Sequence, residues 1–505
     1  MSRRAPAAFS LALLVLAGCT SDGPEPAPSV ATAPPDPTRT LRVMEFNVEY
    51  GGNEVDFDAV PEVIEASGAD IVAIEEGYAN MPAIAASVGW DHYDPRTQIL
   101  SRFPLLAPPG EPPFTYVEVA PGRVVAVANV HLPSTSYGPF KIRDGASADE
   151  VVTTEEHKRL RALSPTLEAI EQLAAQGVPV FLIGDFNAPS HLDWTEAAVG
   201  VRDHVRFPVA WPVSLAVEEA GLVDSYREAN PDPVADQGLT WPANRPHVAG
   251  YNPYANGAPA DRIDFVYAGG PVVTTESLLV GEEGGPGVDI AVAPWPTDHR
   301  ATVSTFEVEP APAPTIVAVD QRLHDVGDRV SVRFHAADGA GAVGLVPAGG
   351  DPIADLIGTF GIAGDGTSGD VLVDTSDVEP GSYDAVLLSI SGDELSRARF
   401  WVQPPAGHPE LGTIEPTYPA GEPIDVAWRF TPGNRADWVG VYRRGADPNR
   451  ASYLLWVYTG GSIEGSAVFD RDSPGAWPLR PGKYTVYLLQ DDSYVAIARG
   501  DFVVE

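Results

Sequence analysis

Six apolar runs of strand length between residues 41 and 308 each carry, at one end, side chains able to hold a metal ion or a phosphoryl oxygen. Asn47 closes the opening run, Glu75 and Glu76 follow DIVAI at 70–74, and His131 follows the run at 124–130. Asp185 and Asn187 follow VPVFLI in GDFN, Asp264 lies in DRIDFVY, and Asp298 and His299 precede the last run in TDHR. Any one of these endings reads equally well as a turn, because Gly, Asp and Asn are turn formers. Six in one stretch call for sheets whose strand ends converge. At such a place Asp185 is suited to activate water or hold a metal, and Asn187 to donate hydrogen bonds to a phosphoryl oxygen.

Helical periodicity appears between these strands. Residues 57–66 have the apolar spacing of a short helix stopped by Gly68. Leu160, Leu163, Leu167, Ile170 and Leu173 predict a second over 154–176, with Gly177 as its cap, and a third short helix is expected at 215–219. Further strands are expected at 97–100, 263–267 and 302–308. Strands interleaved with few helices predict an α+β layered sandwich over 41–309.

At 505 residues the length favours about three domains, and 49 Gly with 50 Pro stay below the level of low-complexity disorder. The proline-rich stretch at 309–314 marks a linker. Beyond it AVGLVPAGGDP at 342 parallels WVGVYRRGADP at 438, and PGSYDAVLLS at 380 parallels PGKYTVYLLQ at 481. The spacing predicts two tandem domains, at 315–403 and 410–505, each an all-β immunoglobulin-like sandwich of short strands and Gly, Pro and Asp turns. Neither carries a catalytic constellation.

Arg3 and Arg4, an apolar stretch at 11–16 and then Leu16-Ala17-Gly18-Cys19 have the arrangement of a secretory signal ending in a bacterial lipobox. Cys19 is the only cysteine. Residues 1–19 are therefore expected to be a lipoprotein signal with Cys19 lipidated, and the Pro, Ala, Ser and Thr of 20–40 a flexible tether. This places the folded chain at the cell membrane, lipid-anchored on the extracytoplasmic side.

The net charge of −38 is concentrated early: residues 40–309 hold 15 Lys and Arg against 40 Asp and Glu. Tight binding to nucleic acid needs several cations against phosphates, and no basic stripe exists here. The charge disfavours a long-tract nucleic-acid binder, while leaving open a nuclease that grips through metal.

In this order, NVEY, DIVAIEE, NVHL, GDFN, RIDF and TDHR resemble the endonuclease/exonuclease/phosphatase superfamily of DNase-I-like, metal-dependent phosphoesterases. The resemblance implies a four-layer α/β/β/α sandwich with the site where the strand ends of both sheets meet. It implies Glu76 as principal divalent-metal ligand, aided by Asn47 and Asp298. Asp185 would orient or deprotonate water, Asn187 hold the phosphoryl group, and His299 contact phosphate, positioned by Asp264. His131 would act near the leaving group or a nonbridging oxygen. Mg2+ is the expected cofactor, with Mn2+ or Ca2+ as alternatives. Arg102 resembles a position near the phosphate with a structural role equally open, Arg262 is an alternative partner for Asp264, and His191 stands out among the remaining histidines. DWVGVY at 437–442 and the aromatics of 453–456 resemble SKICH-type membrane-targeting sandwiches, implying lipid or protein contact by 410–505. The expected function is a surface-anchored phosphoesterase, tilted toward small-molecule or lipid substrates. An extracellular DNase-I-like nuclease and a non-catalytic surface binding protein are the alternatives.

Overall fold

In the computed structural model, residues 38–251, 253 and 258–505 are described. The candidate leader with Cys19 and the expected tether as far as Pro37 lie outside them. Among the described residues no helix is long and apolar enough to cross a membrane.

Two seven-stranded sheets stack face to face, and period-two alternation along their strands decides what lies between them. The first is centred on β1 (Arg39–Asn47), which pairs in parallel with β2 (Ile71–Glu75). The second has β3 (Arg123–His131), β4 (Val180–Asp185) and β5 (Asp264–Gly269) as neighbours. β6 (Ala301–Val308) flanks β1 antiparallel. Leu41, Val43, Ile71, Ala73, Val125, Val127, Phe181, Ile183, Val266 and Ala268 form one buried cluster between the sheets. Their neighbours point outward. Met44, Phe46, Val72 and Ile74 pack with the helices Ala59–Ser67 and Met81–Val88, and Leu182, Phe265 and Tyr267 with Arg161–Ala175 and Pro212–Glu219. The result is a four-layer α/β/β/α sandwich.

The long helix starts earlier than its apolar stripe. A capping box at Ser147 and Glu150 opens Ala148–Glu155, which runs through a π-helical turn at Glu156–Leu160 into Arg161–Ala175. Glycine is required where GDFN begins. Gly184 has φ +141°, and a Cβ there would stand 1.8 Å from the Val130 carbonyl oxygen of β3.

The stretch expected as a linker is built into the fold: Ala311 and Pro312 pair with Val124 and Arg123 at the start of the interior strand β3, and Ile316 and Ala318 enter the core of the second sheet. The two repeats then each form a three-stranded sheet facing a five-stranded one. Numbering the eight strands of each from its own start, both have the order 1-3-6 against 2-8-7-4-5. The repetition in sequence is therefore a repetition of topology.

Gly184→Ala should cost more than about 2 kcal/mol in denaturant unfolding, because the obstacle is backbone that cannot move aside. Gly177→Ala, also at positive φ but meeting nothing within 4 Å, should cost about 1 kcal/mol. Equal losses would contradict this reading of the β3–β4 contact.

Candidate active site

Extending the inter-sheet parity by two residues brings the polar groups together. Glu45 and Asn47 on β1, Glu75 on β2, Asn129 and His131 on β3 and Asp185 on β4 follow the apolar residues that face the other sheet, and Asp264 precedes those of the antiparallel β5. Register completes the convergence, with Asn47 opposite Glu75, and Asp185 between His131 and Asp264.

Asp185 is the hub. Its carboxylate accepts from the Asn187 backbone N–H at 2.7 Å, from Asn187 Nδ2 at 3.0 Å and from Asn47 Nδ2 at 3.3 Å. His131 Nε2 stands 3.5 Å and His299 Nε2 4.0 Å from the same carboxylate. His299 Nδ1 lies 3.1 Å from both oxygens of Asp264. GDFN is thus a turn and a site at once: Asn187 takes φ +50°, and its side chain ties Asp185 to the Leu132 carbonyl oxygen at 3.0 Å. Both protons of the Asn187 amide are engaged, so a phosphoryl contact would replace one of these bonds.

Glu76 and Asp298 flank the turn after β1 above that buried floor, with Asp298 Oδ1 3.8 Å from His299 Nε2. Glu76, at φ +53°, accepts from the Tyr50 backbone N–H at 3.1 Å and the Tyr78 hydroxyl at 3.5 Å. Asp298 accepts from Trp241 Nε1 at 3.1 Å, and its own N–H donates to Glu49, which pairs with Arg245. Asn47 links the two levels, its Oδ1 accepting from the Glu49 N–H at 3.0 Å.

The floor holds more negative charge than the sequence reading assigned to it. Glu45 and Glu75 are fully buried against each other, and apart from a proton shared between the two carboxyls nothing donates to Glu45 Oε2 or to either Glu75 oxygen. Burial pushes the Glu75 carboxyl up to about 8. Burial, then the charge of Asp264, hold Glu45 and Asp185 well above the ordinary carboxylate range. Burial pushes His131 down to about 3, helped by the positive charges of Arg435 and His299, so it is neutral at physiological pH. His299 goes the other way: burial favours its neutral form, but Asp264 and then Asp298 outweigh that and keep it protonated. One ligand atom from each of Asp185, Asp264 and His299 lies within 4.8 Å of the others. An oxygen-rich, over-negative pocket of this kind fits a hard divalent cation.

Other candidates fall elsewhere. Arg262 pairs with Asp193 and Asp224 rather than Asp264. Arg102 bonds the Ala69 carbonyl oxygen and covers Trp90, a structural role. His191 bonds Ser214 and Glu218 beside a separate cavity. The sequence reading missed Glu45, although a lone acid inside RVMEFN is a signal of inward polarity. It also missed Arg435, which arrives from the last sandwich.

Facing sheets that gather carboxylates, amides and histidines at their strand ends define a hydrolase scaffold of the phosphoesterase class. The chain belongs to the Endonuclease/Exonuclease/phosphatase family, whose model matches residues 44–299. Members of this family hydrolyse phosphoester bonds with a divalent metal. An uncharacterized protein of Caenorhabditis elegans is 31% identical over 268 residues, covering 47% of this chain and 81% of that one. Among solved structures, an endonuclease/exonuclease/phosphatase from Beutenbergia cavernae is 17% identical, covering 72% of this chain and all of that one (TM-score 0.33). D. rerio TDP2 complexed with single-strand DNA product is 16% identical over 53% of this chain and 98% of that one (TM-score 0.31). The mannosyl-6-phosphatase of Bacteroides thetaiotaomicron is 12% identical over 53% and 99% (TM-score 0.32). TM-scores this low support nothing further.

The raised pKa values predict a pH effect. Above about pH 6.5 an unfolded chain has lost the protons of Glu75 and His299, whereas the folded, metal-free chain still holds them. His131 is neutral in both states there. Stability of metal-free protein should therefore fall as pH rises from 6.5 to 8, and Glu75→Gln should flatten the fall. A melting temperature that rises across this window would contradict the assignment.

Proposed function

We propose that this protein is a surface-anchored phosphoesterase that uses a divalent cation, Mg2+ by the hardness of its donors, to hydrolyse a small-molecule or lipid phosphoester by in-line attack of water. The observation that carries the reading is the set of buried acids short of hydrogen-bond donors beneath an accessible cleft lined by His131. Asn47, Glu76 and Asp298 would hold the ion, with Glu45 and Glu75 adding negative potential below. When bound, the cation offsets the charge that develops on the phosphoryl oxygens.

Asp185, fixed by three N–H donors, orients the attacking water and accepts its proton. His299, charged and clamped by Asp264, donates from Nε2 to a phosphoryl oxygen. Neutral His131 offers a hydrogen bond on the leaving-group side without needing to titrate. The tilt toward compact substrates rests on the cleft itself. A cavity of about 420 Å3 beside His131 is also lined by Glu76 and the exposed Asp492, which disfavour a polyanion. Anchoring rests on the lipobox ending at Cys19.

With bis-p-nitrophenyl phosphate as substrate, Asp185→Asn and His299→Ala should each lower kcat by about 10²- to 10⁴-fold, and EDTA should abolish turnover. Hydrolysis unchanged by both EDTA and Asp185→Asn would defeat the reading. Plasmid DNA should be the poorer substrate, and faster plasmid cleavage would overturn the tilt. Cys19→Ala should move the protein from the detergent phase to the aqueous phase on Triton X-114 partition, and unchanged partition would remove the lipid anchor.

A further inference from the structure

Arg435 lies in a loop of the second sandwich yet lines the same cavity as His131 and Glu76. Its Nη2 donates to the carbonyl oxygen of Asn129, two residues before His131 on β3, at 2.9 Å, and its backbone N–H donates to the Pro95 carbonyl oxygen at 3.2 Å. Its Nη1 is buried and has no hydrogen-bond partner. Among the described residues no carboxylate forms an ion pair with this guanidinium; Glu75 and Asp491 act on it only by their charge. Arg435 is half-buried and lines the cavity without a paired anion, so a phosphoryl oxygen bound there would supply the counter-charge that this guanidinium lacks.

The loop is held rigidly. Asp437 accepts from the backbone N–H of Asn434 and from its side-chain amide, and also from the Asp491 N–H at 3.0 Å, while Asp491 accepts from the Ala436 N–H at 2.9 Å. The first sandwich adds a brace: Arg322 donates to the Gly433 and Gly461 carbonyl oxygens at 3.1 and 3.0 Å and reaches Glu111 of the sheet domain at 3.0 Å. Three domains meet to fix one side chain. Such positioning is what a substrate-binding group needs and a solvent-facing arginine lacks.

We propose that the second sandwich is part of the substrate site, with Arg435 binding a phosphoryl oxygen of the substrate on the His131 side of the cleft. The identity of the anion rests on the phosphoesterase reading. The sandwich is then neither a passive spacer nor a lipid-binding module alone. It sets what enters: a phosphoryl group pairs with Arg435, and the exposed Asp492 repels further negative charge.

Calorimetric titration of full-length protein with inorganic phosphate in the presence of Mg2+ tests this. Arg435→Ala should weaken phosphate binding by about tenfold to a hundredfold, the loss of one charge-assisted hydrogen bond. Arg435→Gln, which keeps a donor for Asn129 but removes the charge, should weaken it nearly as much, and it decides the matter if the alanine variant does not melt cooperatively. Arg429→Ala removes the same charge from an exposed pair with Glu410 on the same sandwich and should change nothing. Wild-type affinity in a folded Arg435 variant, or no phosphate binding by the wild type, would overturn the proposal. Should EDTA and Asp185→Asn both leave hydrolysis of bis-p-nitrophenyl phosphate unchanged while phosphate binding still requires Arg435, the metal-dependent catalytic reading fails and the anion site stands.

Discussion

Everything at this site depends on burying several carboxylates at the open end of an apolar layer. The inter-sheet core is made of Val, Ile, Leu, Phe and Ala on alternating positions, and the same alternation carries Glu45, Glu75, Asp185 and Asp264 into it. Burying an ionised acid is expensive unless it is paired, and like charges nearby raise the cost. The fold relieves part of it: His299 stays charged against Asp264, and Asn47 and Asn187 direct their N–H groups at Asp185. What is left over, three oxygens on Glu45 and Glu75 to which no other group donates, is met either by protons or by a cation. The competition between those two makes the pocket responsive to both pH and metal.

Holding that arrangement takes rigid surroundings. Gly184 lets β4 pass against the Val130 carbonyl oxygen, which sets the level of Asp185 beside His131. Behind it, Arg262 is clamped between Asp193 and Asp224, and Arg227 shares Asp193, so the chain on either side of β5 cannot drift. The sandwiches add their own restraint. Arg333 and His335 both reach Glu118, and the 311–312 segment pairs with the start of β3, so the β-modules are docked onto the sheet domain.

Much of this was legible in the sequence because it is local. Strand alternation with a polar terminus shows directly in NVHL, GDFN and DRIDFVY, and the tandem sandwiches show in paired motifs with similar offsets. GDFN appeared to be a choice between turn and site, yet Asn187 needs its left-handed turn to reach Asp185. The early start of the long helix is also written in the Ser147 and Glu150 capping box, ahead of the apolar stripe that begins at Leu160. Glu45 was readable as an acid in an apolar strand, but its cost depends on which acids face it across the layer. Arg435 could not be read at all. Nothing within 300 residues of it in the chain hints at Asn129, since docking of the last sandwich is a long-range packing outcome.

The most direct test is an anomalous difference map from crystals soaked in Mn2+. A peak is expected within coordination reach of Glu76, Asp298 or the acids beneath them, at the converged ends of β1, β2 and β4. A fully soaked crystal with no peak there, at a pH where the acids are ionised, would contradict the claim that this buried charge exists to hold a metal.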